Sequence, residues 1–233
     1  MVTFFNINVT FDLMKLITET KHLLFKEIKL EFRQKYAISG VLLYVLSTVF
    51  VVYTTLGQTI GNAVWGALFW IIVLFASVNA IAKSFVQESP KRQLYYYALT
   101  SPAAIILSKM IYNALLLLVI CALGYGAFSL VLGNPVRHTW LFYQILGLGA
   151  LGFSIAFTFV SAISAKANQS ATLMAILSFP IIIPMLMTLM RLTKIALGLM
   201  TDTAYYKDML ILLCLDVILA ALAFILFPYL WRD

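Results

Sequence analysis

The chain has 233 residues, of which 63% are hydrophobic and only 11% charged, with a net charge of +7. Soluble domains carry about a quarter charged residues, so this composition points to lipid rather than water as the solvent and leaves little chain for a soluble domain. The Lys and Arg residues lie beside apolar runs rather than along a solvated groove, which speaks against nucleic acid as a partner.

The first thirteen residues, MVTFFNINVTFDL, are weakly patterned, and translation is expected to begin at Met14; finding them in the native protein by N-terminal mass spectrometry would refute this. Lys15, Glu19, His22, Lys26, Lys29 and Arg33 follow at steps of three and four, on one helical face, with Leu13, Ile17, Leu24, Ile28 and Phe32 on another. This pattern predicts an amphipathic helix suited to the membrane surface, where it would anchor the chain, dock a partner protein, or do both.

A bilayer core of about 30 Å needs roughly 20 apolar residues per helix. Six runs qualify, at about 37–56, 60–82, 105–132, 140–164, 170–190 and 209–230. They lack β-barrel alternation, so the expected fold is all-α: a polytopic membrane protein of six transmembrane helices with an N-terminal interfacial helix. The division reads as a cytoplasmic leader and amphipathic helix over 1–36 and a six-helix domain over 37–233. No cleavable secretory signal is read, since the first span starts near residue 37 without a small-residue cleavage site after it.

Orientation follows from the basic residues, which favour the cytoplasmic side. One set of connections holds Lys15, Lys21, Lys26, Lys29, Arg33, Lys35, Lys83, Lys91, Arg92, Lys109, Lys166 and Arg232; the other holds only Arg137, Arg191, Lys194 and Lys207. Both termini are therefore expected in the cytoplasm.

The connection between spans 2 and 3 is then cytoplasmic and runs from Lys83 to Pro102. Ser89 and Pro90 form a good N-cap and first-position pair, and Pro102 is read as the stop of the short helix they begin. Its charged start and aromatic middle would lay the tyrosines at headgroup level and leave Glu88, Lys91 and Arg92 as handles for a cytosolic partner. The plainer alternative is an ordinary loop whose charges obey the positive-inside rule.

The amphipathic start, the six spans and the stretch FVQESPKRQLYYYALTSPAAIILSKMIYNALL together resemble the ABC-2 permease superfamily and, within it, the haem exporter protein B (CcmB) family of cytochrome c maturation. The likeness runs from about Met14 onward and is most specific from Phe85 to Asn113, through Glu88, Leu94 to Tyr97, Ser101-Pro102 and Ser108-Lys109. Where related sequences often have glycine after the acidic residue, this chain has Pro90-Lys91-Arg92.

The resemblance implies a non-enzymatic permease of the bacterial inner membrane. Its partners would be a separate cytosolic ABC ATPase, a second permease copy and other membrane subunits of cytochrome c maturation, with haem as the transported or handled ligand and no cofactor bound directly. It also implies that Glu88, Ser89, Pro90, Lys91, Arg92, Gln93, Leu94, Tyr95, Tyr96 and Tyr97 sit in a groove of the ATPase as the coupling element. The residues agree in one respect: no GxxxxGK[ST] occurs, so a phosphate-binding loop must come from elsewhere. Other ABC-2 exporters, of lipid, polysaccharide or toxic compounds, share every one of these physical features, and so does a membrane scaffold without transport.

Several single residues invite attention. His22 and His138 are the only histidines; the first lies in the basic stripe and the second in an outer loop, so ordinary polar roles outweigh haem ligation. Cys121 and Cys214 read as buried free thiols, without CxxC or metal-ligand spacing. Asp216 is the one acidic residue well inside a span, where interhelical bonding outweighs a proton or substrate path, and Lys109 is placed to snorkel. Pro180 and Pro184 should kink the fifth span, Gly147, Gly149 and Gly152 permit close contact within or between subunits, and the outer stretch from Arg191 to Asp208 has room for a short surface helix.

Overall fold

The computed structural model describes residues 2–34, 36–57, 60–82, 85, 100–165, 170–201 and 204–232, with side chains in the first helix described over 14–30. Among these residues there are seven helices and no strand: α1 Val2–Gln34, α2 Tyr36–Leu56, α3 Asn62–Ile81, α4 Pro102–Leu132, α5 Thr139–Ser164, α6 Ser170–Ala196 and α7 Tyr205–Arg232. The last six are long and apolar enough to cross a membrane, which makes the protein an all-α, six-span membrane protein. Three hydroxyls inside the spans bond to their own helices: Ser77 donates to the Val73 carbonyl, Ser178 to Met174 and Thr193 to Leu189.

Pro102 begins α4, while the short helix it was expected to end lies outside the described residues. Ser101 is the extended N-cap and Pro102 the first helical residue, where its missing N–H and fixed φ carry no penalty. Proline suits the first turn of a helix as readily as the segment after one, so the sequence alone did not separate the two readings. Proline is also tolerated within α6, where the helix runs on through Pro180 and Pro184.

The centre of the bundle is α5, with 78% of its most apolar 18-residue stretch buried against 17% for that of α2 and 22% for that of α7. Two glycines bring its neighbours close. A Cβ on Gly149 would lie 2.6 Å from Trp70 Cη2 and 3.1 Å from Leu189 Cδ2, and one on Gly152 would collide with Met185 and Asp216. Both contacts lie within one subunit, while Gly147 faces open space. Trp70 fills the gap so created and donates from Nε1 to Thr193 Oγ1 at 2.8 Å, tying α3 to α6. An aromatic cluster continues towards the end of the bundle that holds the α4–α5 loop. Trp65 stacks on Phe69 with centroids 5.7 Å apart and meets Phe128 edge-on at 5.5 Å, and its indole N–H donates to the Gly133 carbonyl. Each such ring pair contributes about 0.5–1.5 kcal/mol beyond its burial.

No separate surface helix occurs among the described residues of 191–208. The length is taken up by α6, which carries Arg191 and Lys194 to a termination at Ala196. Gly198, at φ +70°, donates to the Ile195 carbonyl, and Leu199 donates to Lys194, a paired cap in which glycine takes the left-handed position. The Ala196 carbonyl then accepts the backbone N–H groups of Arg137 and His138, each at 3.0 Å, so the α4–α5 loop closes the end of α6. Arg191 and Asp208 lie at ion-pair distance across the same end, 3.0 Å apart but without hydrogen-bond alignment.

The outer faces of α2 and α7 expose Leu43, Phe50, Val217 and Ile225, as a hydrocarbon solvent allows. Cys121 is buried, whereas Cys214 lies exposed on this face of α7. An apolar run on a peripheral span buries only the side turned to the bundle, which corrects the reading of Cys214 as buried.

Candidate functional site

Residues 88–97, from Glu88 to Tyr97, lie outside the described residues. The two ends of their connection are described, and both are gripped by the rest of the chain.

At the near end, Phe85 is buried. Its ring lies 5.7 Å from that of Phe227 on α7, and Lys109 Nζ sits 4.7 Å from its centroid. At the far end, Glu19 Oε2 accepts both the Ser101 backbone N–H at 3.0 Å and the Ser101 hydroxyl at 2.8 Å. A carboxylate at this place satisfies an orphan donor of the first turn and faces the positive end of the α4 dipole. The Ser101 hydroxyl, which in an ordinary N-cap would turn onto its own helix, is given to α1 instead.

Eight residues further along each helix, Lys109 Nζ reaches Glu27 Oε1 at 3.6 Å, and Lys26 pairs with the same oxygen at 3.0 Å. The two contacts advance together, about 12 Å along both axes, so α1 lies on the start of α4 in the same sense. Leu23 packs between them, in a cluster with Ala104, Ile106, Met110, Phe159 and Phe227 that is separate from the main core.

This arrangement revises two expectations. Lys109 does not snorkel to an edge; it is 3% exposed and held by a carboxylate and a ring. The face of α1 that meets protein carries Leu16, Thr20, Leu23 and Glu27, whereas Ile17 and Phe25 are exposed. Apolar residues flank the polar stripe on both sides, and helical periodicity could not say which flank the protein covers. Glu19, Glu27 and Ser101 were missed as a group. The one available signal was the Ser-Pro pair, a helix start whose cap partner lies in a distant segment.

Deeper in the bundle Asn113 donates to Thr158 at 2.8 Å and Ser154 to the Met110 carbonyl at 2.8 Å, polar links between α4 and α5 that apolar runs conceal. Asp216 is 6% exposed, packed where Gly152 lets α7 approach α5, and neither carboxylate oxygen has a hydrogen-bond partner. Such burial costs about 1–3 kcal/mol. Asp216→Val should therefore leave the melting temperature in detergent unchanged or raised; a fall would show that the carboxyl is bonded in the folded protein. His22 is exposed, His138 precedes α5 in the α4–α5 loop, and no group of three His, Cys, Asp or Glu residues is placed to hold a metal among the described residues.

No individual curated protein matches the chain. A family model does: that of the CcmB protein, over residues 18–229. The match takes in all six spans, the base of α4 and the second half of α1, including Glu19, Glu27 and Lys109. The chain belongs to the CcmB family, the membrane components of haem-exporter ABC systems that serve cytochrome c maturation.

Proposed function

We propose that the chain is the permease through which a separate cytosolic ATPase drives haem export, or release of a haem-loaded chaperone, and that residues 88–97 are the element the ATPase engages. The observation that carries this reading is the anchoring of both ends of the 83–102 connection. Phe85 is locked against Lys109 and Phe227, and Ser101 against Glu19. A segment held firmly at both ends passes a push from outside into the helices, where a loose loop would absorb it.

The same reading sets the chain in the bacterial inner membrane with both termini in the cytoplasm, supported by the skew of Lys and Arg towards one set of connections. A second permease copy and the other maturation subunits would meet the thinly covered faces of α2 and α7. The chain itself would hydrolyse nothing, with haem as cargo rather than resident cofactor. Asp216 would serve as a polar contact opened only when α7 parts from α5.

The test is affinity purification of the tagged chain in mild detergent. A cytosolic subunit with a phosphate-binding loop should come down in equal amount and hydrolyse ATP. A preparation that handles haem normally without such a subunit would overturn the proposal.

A further inference from the structure

Helix α1 is joined to the start of α4 by charged contacts that a passive membrane anchor does not require. We infer that α1 is a working part of the coupling machinery, clasped to the far end of the 83–102 connection through Glu19 at Ser101 and Glu27 at Lys109 so that α1 and the base of α4 move as one body. The inference rests on reading that connection as the segment the ATPase engages.

The Glu19 contact is built for transmission. One carboxylate oxygen takes two donors from the single residue at which the connection becomes helix, so the N-cap cannot shift or turn without α1 following. Eight residues on, the Glu27–Lys109 pair forms a second point of attachment, and two points separated along an axis prevent α1 from pivoting about the first. Lys109 also faces Phe85, whose ring packs on Phe227 of α7. One buried cation thus touches the near end of the connection while its carboxylate partner lies on α1. A displacement of residues 88–97 would reach α1 through Ser101 and through Lys109, and α7 through Phe85. Glu19 and Glu27 are positioning residues in this scheme, acting through Ser101 and Lys109.

The experiment uses the complete chain with its ATPase. Glu19→Gln keeps the shape but gives up the charge. It should lower holo-cytochrome c by about fivefold or more, the lower end of an allosteric coupling, while ATPase association and ATP hydrolysis stay within about twofold. In a background carrying Cys121→Ala and Cys214→Ala, the pair Glu19→Cys and Ser101→Cys should show the same loss. A short bis-maleimide bridge between the two thiols should then restore coupling, since a covalent link replaces the clasp. A holo-cytochrome c level unchanged in Glu19→Gln, or a loss the bridge does not repair, would overturn the inference.

The underlying reading fails differently. There the Glu88→Ala, Arg92→Ala variant would keep a bound and coupled ATPase. If that variant loses coupling while Glu19→Gln retains it, only the clasp is wrong.

Discussion

Cells lacking this chain should make no holo-cytochrome c, and a copy carrying Glu88→Ala with Arg92→Ala should reach the membrane yet fail to restore it. The two charges stand at the start of the 88–97 segment, where charge-assisted hydrogen bonds to a cytosolic surface would be shorter and stronger than neutral ones. Truncating a contact that dominates an interface costs about 2 kcal/mol or more, so removing both should weaken ATPase association by well over about 100-fold. Tyr95, Tyr96 and Tyr97 are kept and the described core is untouched, so the variant should insert and fold. Immunoblotting of the chain, co-purification of the ATPase and a haem stain of the cytochromes measure the three quantities. A variant that still binds the ATPase and restores the cytochromes would remove the segment from the coupling path.

The second large effect is on stability and has an uneven pattern. Glu27→Gln should destabilise the protein in detergent by about 1–3 kcal/mol, because it takes one charged contact from a Lys109 that is 3% exposed. The Phe85 ring offsets part of that loss and places the value at the low end. Lys109→Met should cost less, since Glu27 keeps Lys26 at 3.0 Å and methionine fills the vacated space. With Glu27→Gln and Lys109→Met combined, the two losses should not add, because each single variant already breaks the contact they share. Thermal melts of the four proteins provide the cycle. Equal losses in the two single variants, adding in the double, would show the pair to be solvated.

The reading of α1 shows where local pattern stops. Its helical character and polar stripe were legible from steps of three and four, but Leu16, Thr20 and Leu23 lie on its protein-facing side while Ile17 stands exposed. Pro102 shows the same limit: proline marks a helix boundary from either side, and the Glu19 that accepts from the Ser101 cap is 82 positions away. Lys109 looked like a residue at the edge of a span, where a long cation snorkels; its burial depends on a carboxylate and a ring from two other segments.

The amino-acid sequence by itself determined the solvent, the helical class, the number of spans and the family. Hydropathy over about 20 residues is a local property, and backbone groups in hydrocarbon leave few other structures possible. Only the tertiary structure decided that α5 is the hub, that Gly149 and Gly152 serve contacts inside one subunit, and that both ends of the 83–102 connection are fastened to other helices. Those features depend on the rotation and register of one helix against another, and an apolar span reads much the same whichever side it turns to its neighbours.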